Sequence, residues 1–155
     1  MKYFNIKDLF LYIYKIKMVH YTEDYKKGTK AQREILPDVQ KYFNDYDLEG
    51  EIKENPEMFA KYDYECNDAV FEVKTRFFVK NKYPTTMITC DKVTVTDKAI
   101  IFIFNYTDEI TWIQFDEDLF NTFEKKLFSR AERADDEKEH YYIPIKYLQT
   151  IKKKM

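Results

Sequence analysis

The spacing of apolar side chains changes period several times along this chain, and each change marks an element. Between residues 31 and 43 they recur every fourth position, at Ala31, Ile35, Val39 and Phe43, with Glu34 and Tyr42 beside the stripe. That is the period of a helix with one buried face. Thr29 is a candidate N-cap after Gly28. Pro37 falls inside the pattern and predicts a kink or a helix start near Leu36, because proline has no N–H to give. Residues 1–19 mix Phe, Leu, Ile and Tyr with Lys, and predict a helix or strand packed on the body; Met18 could serve as an alternative start.

The period then shortens. A polar strand is expected near 51–54, followed by strands over 59–66 and 69–78 around Asn67-Asp68, a two-residue hairpin signal. A two-residue loop sets Cys66 opposite Ala69, Asp63 opposite Glu72 and Lys61 opposite Lys74, the last two pairs on one face. A three-residue loop would turn Asp63 away. Beyond Tyr83-Pro84, Thr85 or Thr86 could cap a helix through Met87, Ile88 and Lys92, although Thr85, Thr86, Ile88, Thr89 and Val93 favour strand. The run 99–105 is the most apolar and predicts a central strand, turning at 107–109 into a partner over 110–115 that carries Trp112. A helix is expected over 118–130, a charged loop over 132–139, and a last strand over 141–145 before a Lys-rich tail. Together these elements predict an α/β fold, a mixed central sheet flanked by helices, in one domain spanning 1–155 with 1–19 as an appended segment.

Composition changes this picture little. A chain of 155 residues can bury roughly 70% of its unfolded surface in one core. The 13 Phe and 14 Tyr beside only 2 Gly and 4 Pro exclude disorder, and read as translation from an AT-rich genome. Net charge is -2, which advertises neither nucleic acid nor membrane, but residues 1–30 carry a balance of +4 and 116–139 one of -4. Cys66 and Cys90 have no metal-ligand or disulfide spacing, and His20 and His140 are remote from both. The apolar stretch 9–14 is too short to span a bilayer and is flanked by charge. The expectation is a soluble, intracellular protein with no membrane partner.

The candidate chemistry lies in Phe71-Glu72-Val73-Lys74-Thr75-Arg76, where an acid and a base share one face of an apolar strand. Glu-x-Lys occurs three times, at Glu51-Ile52-Lys53, Glu72-Val73-Lys74 and Glu124-Lys125-Lys126. Chance alone supplies about two, so the motif needs structural context. Only the second follows a candidate hairpin with an Asp placed across from its Glu.

Asp63, eight residues, then Glu72-Val73-Lys74 resembles the PD-(D/E)XK nuclease signature. Glu34 on the preceding helix occupies the place of an acid many members carry, and Thr75-Arg76 with Tyr83-Pro84-Thr85-Thr86 looks like small members from phages and large DNA viruses. The resemblance covers about 28–92. The family's Pro before the Asp is Tyr62 here. It implies a restriction-endonuclease-like α-β-β-β-α-β core and a DNA phosphodiester hydrolase of viral or phage replication, recombination or repair, placed in the host cytoplasm or nucleus if viral. It implies Mg²⁺, or Mn²⁺, held by Asp63, Glu72, the Val73 carbonyl and Glu34, with Lys74 beside the attacking hydroxide. Arg76 and Lys92 would contact substrate phosphate. DNA is the implied partner, and a homodimer could supply the basic rim that an acidic nuclease needs. The alternative is a non-catalytic binding or interaction module whose face carries only a cross-strand salt-bridge cluster, worth under about 1 kcal/mol per pair.

Overall fold

A computed structural model of the chain describes residues 6–46, 48–57, 60–129 and 137–155. Helix α1 runs over Ile6–Asn44 without interruption, so the expected boundary near residue 28 and the Thr29 cap do not occur. Pro37 sits inside the helix at an exposed position and does not end it. The stripe is as expected, with Ile35, Val39 and Phe43 buried.

Nine strands follow among the described residues: β1 Lys53–Glu54, β2 Tyr64–Glu65, β3 Ala69–Thr75, β4 Thr85–Thr89, β5 Ala99–Asn105, β6 Glu109–Gln114, β7 Glu124–Phe128, β8 Lys138–Pro144 and β9 Gln149–Lys153. Six form a sheet in the order β1-β2-β3-β5-β6-β9, with β3 and β5 parallel and the other neighbours antiparallel. The other three form an antiparallel sheet, β4-β8-β7.

The apolar runs of β3 and β5 follow from this layering, since a strand covered on both faces needs apolar residues on both. Phe71, Val73, Ile101 and Ile103 join the core with Val39 and Phe43 of α1. Val70, Ile100, Phe102 and Phe104 join a second core with Ile88 of β4 and Tyr141 and Ile143 of β8. Phe43 stands edge-on to Phe71 and Trp112, at ring separations of 5.4 and 5.1 Å, and the Trp112 indole N–H donates to the Tyr42 hydroxyl at 3.0 Å.

The molecule is therefore α/β with a mixed sheet, as expected, but it has fewer helices. The helix expected after Pro84 is strand β4 and a 3-10 turn at Cys90–Lys92; threonines 85, 86 and 89 take the extended form they favour by pairing with β8. The helix expected over 118–130 shrinks to α2, Glu117–Phe120, capped by the Asp116 carboxylate on the Leu119 N–H, and then becomes β7. The Lys-rich tail is β9, a sheet edge whose charges discourage further pairing. Most of the charged loop expected over 132–139 lies outside the described residues. Among the described residues, no helix is long and apolar enough to cross a membrane.

Candidate active site

The site is built on the Asn67-Asp68 turn. Cys66 N–H donates to Ala69 C=O at 2.9 Å, which closes a two-residue loop. The Asp68 carboxylate accepts from Glu49 N–H at 2.7 Å, and its carbonyl accepts from Ala99 N–H at 2.9 Å. Gly50, at φ +90°, lets the preceding segment lie against Asn67. The register is Glu65 opposite Val70 and Tyr64 opposite Phe71, as the two-residue loop requires.

At Asp63 the ladder breaks. Asp63 N–H donates to Phe71 C=O at 2.9 Å, although Tyr64 is the residue paired with Phe71. Val73 N–H would meet the Tyr62 carbonyl in a regular continuation; it donates instead to Asp63 Oδ2 at 2.7 Å, and the Tyr62 carbonyl takes the Asn55 side-chain amide at 2.8 Å. Two residues of one strand thus oppose one of the other, as in a β-bulge. Asp63 and Glu72 are consequently not a ladder pair, and neither are Lys61 and Lys74. The bulge nevertheless aims the Asp63 carboxylate at β3, beside Glu72.

Glu72 faces away from α1, on the side of Val70, and its side chain is only 5% exposed. Two ammonium groups neutralise it. Lys74 Nζ lies 2.9 Å from Oε1, and Lys92 Nζ lies 3.3 Å from Oε2 while donating to the Lys61 carbonyl at 2.6 Å. Stripping either partner from a carboxylate this buried is costly, unlike breaking a surface pair. Lys92 reaches Glu72 because its turn is tethered. The Tyr62 hydroxyl lies 2.7 Å from the Lys92 carbonyl, to which it donates, and 2.9 Å from Thr94 Oγ1. Tyr62 therefore positions Lys92 beside Glu72.

Burial, and then the neighbouring Glu72 charge, push the Asp63 carboxyl up to about 6; the Val73 hydrogen bond, Lys74 and Lys92 act in the other direction. Asp63, Glu72, Lys74 and Lys92 thus share one electrostatic site. The two carboxylates are hard oxygen donors, which fits Mg²⁺, an ion that keeps several waters and takes one or two carboxylates.

Other expected residues fall elsewhere. Glu34 is exposed on α1, the layer packed against the Phe71 and Val73 face, whereas Glu72 is on the opposite face. Among the described residues, no three His, Cys, Asp or Glu side chains gather to hold a metal, so Glu34 does not join the pair. Its charge acts on Lys154 instead. Lys92 sits on Glu72 rather than open to a phosphate. Arg76 donates to the Met87 carbonyl at 2.9 Å, and its guanidinium lies 5.9 Å from the centre of the Phe104 ring. Cys66, expected to be half-buried beside the turn, is buried.

Arg76 and Lys74 also line a groove of about 730 Å³ between the end of β3 and the second sheet, with Lys138 and His140 from β8. Sequence reasoning missed this groove. The signal was there, since Lys138, His140 and Tyr142 alternate along one strand and so share a face, but the strand was expected to begin only at 141.

The chain matches no protein-family model, no curated protein and no solved structure.

Proposed function

We propose that this chain is a metal-dependent nuclease of the PD-(D/E)XK kind, hydrolysing DNA phosphodiester bonds. The observation that carries the reading is the buried Glu72 carboxylate with Lys74 Nζ at 2.9 Å and the Asp63 carboxyl held on the adjoining Val73 N–H. An acid-acid-lysine group of this kind is unusual on a sheet face that merely needs solubility, where ion pairs are exposed.

The order helix, three antiparallel strands, crossover and parallel strand also supports it: α1, β1-β2-β3, then β5 beside β3. In the resembling family a helix makes the crossover; here β4 and the 3-10 turn of Lys92 do. Asp63 and Glu72, with the Val73 carbonyl, would hold the ion. A bound divalent ion supplies polarisation of the phosphoryl oxygen and a water acidified enough to attack it. Lys74 stabilises the charge that develops there and orients the nucleophile.

Purified protein with Mg²⁺ or Mn²⁺ is expected to cut plasmid, single-stranded or branched DNA, and Glu72→Gln and Lys74→Ala are expected to lose at least about a hundredfold in rate. Cleavage that persists in both variants removes the mechanism. One observation favours a non-catalytic module instead: each Glu72 oxygen already has an ammonium partner. Calorimetry separates the readings, because the module binds no divalent ion and keeps its ligand in Asp63→Ala.

A further inference from the structure

The groove beside Lys74 has a chemistry that the carboxylate pair does not explain. Among the described residues its lining contains Lys74, Arg76, Lys138 and His140 and no Asp or Glu, on a chain whose net charge is -2. Aromatic rings share the lining with these side chains. Tyr83 and Phe128 are 50% and 39% exposed although both are large and carry apolar faces. The Phe128 ring stands edge-on to His140, 5.7 Å away, and Lys126 Nζ lies 5.5 Å from the centre of the Tyr142 ring. Lys138 is paired with Asp91 at 3.2 Å, an exposed contact that a phosphate can replace at little cost.

We propose that this groove takes a single strand of nucleic acid, with its unpaired bases on Tyr83 and Phe128 and its phosphates on Lys138 and Arg76, and leads that strand to Lys74. The lining cations attract a phosphate backbone, Lys138 by exchanging its exposed Asp91 contact for a phosphate. Exposed rings add stacking that only unpaired bases can use, because in a duplex the base faces are covered by neighbouring bases. The volume agrees: about 730 Å³ is the size of a small-ligand site and accommodates a nucleotide or two. Lys74 is common to the groove wall and to the Glu72 ion pair, so a strand lying in the groove ends with a phosphate at the carboxylates. The fate of that strand rests on the nuclease reading; its binding rests on the groove alone.

The test uses the full chain as Glu72→Gln, which alters no residue of the groove lining, and measures fluorescence anisotropy of a labelled thymidine oligonucleotide and of a duplex of equal length at fixed salt. Single-strand binding at least about tenfold tighter than duplex binding is expected. Tyr83→Ala and Phe128→Ala, both at exposed positions, are each expected to weaken it about tenfold, the scale of one lost base–ring stack. Lys138→Ala is expected to flatten the salt dependence. Equal or tighter duplex binding, no binding to either, or indifference to both ring substitutions overturns the groove assignment. Cleavage by the wild type is scored separately. Single-strand binding without cleavage leaves the groove standing and removes the nuclease, and duplex cleavage indifferent to Tyr83 and Phe128 does the reverse.

Discussion

The Asp63 carboxylate accepts the Val73 N–H at 2.7 Å, in the place where an unbroken ladder would put the Tyr62 carbonyl. A side chain thus completes the sheet, and it is an ionisable one held up at about 6. The folded chain binds the Asp63 proton more tightly than the unfolded chain does. Ionisation therefore costs stability progressively from about pH 4 to 6 and leaves the full penalty, up to ~3 kcal/mol, above that range. Asparagine keeps an acceptor for Val73 and has no charge to desolvate. Asp63→Asn is expected to be more stable than the wild type by about 1–3 kcal/mol near pH 8, with the advantage gone near pH 4, and inactive at both. Urea unfolding at the two pH values checks this; a variant no more stable at the higher pH refutes it.

Tyr62→Phe removes one hydroxyl and leaves the ring in the core. The Lys92 carbonyl and Thr94 lose their partner, at a cost of about 1–2 kcal/mol in stability. If the tether matters because it positions Lys92, turnover falls while the KM for substrate stays near the wild-type value. A drop in stability with unchanged turnover would make Tyr62 structural only.

Lys92→Met strips Oε2 of Glu72 of its ammonium and leaves the Lys61 carbonyl without that donor. The metal-free variant is expected to lose about 1–3 kcal/mol, discounted because Lys92 is partly exposed. A divalent ion should restore the loss by replacing the missing charge. Thermal unfolding with and without Mg²⁺ reads this directly, and a metal-induced rise in Tm no larger than that of the wild type counts against an ion site at Glu72.

Much of this architecture is local and therefore legible in the residues. The Ile35, Val39 and Phe43 stripe, the Asn67-Asp68 turn and the apolar β5 each declare themselves within a dozen positions. Strands β4 and β9 do not, because their partners lie far along the chain; β4 pairs with β8 across some fifty residues. Tertiary pairing there decides between forms that local propensity leaves close. At the site, Glu72 and Lys74 are visible as a spacing, and Asp63 through the turn. The Lys61 carbonyl and the Val73 N–H are backbone groups that every residue carries, so no side-chain pattern could reveal them. Glu34 was misplaced because a helix position says nothing about which layer the site faces.

Gly50→Ala is a further probe of the turn. An added Cβ would sit 3.2 Å from the Asn67 amide nitrogen at a φ of +90°, a region costly for any L side chain. A loss of about 1–3 kcal/mol is expected, with cleavage reduced as the Glu49 contact to Asp68 is disturbed. Chemical denaturation and the activity assay together check it; an alanine variant as stable and active as the wild type would mean that the loop does not buttress the hairpin.

Among the described residues, Lys74 is the one side chain that belongs both to the ion pair with Glu72 and to the groove wall. On the proposed nuclease and groove readings a genetic asymmetry follows. Lesions in the outer groove, at Tyr83 or Lys138, can yield protein that retains its chemistry but captures strands poorly, and lesions at Glu72 can yield protein that captures strands and leaves them whole. No substitution at Lys74 can separate the two phenotypes. Suppressors of a Lys74 defect should therefore arise only when both functions are restored together.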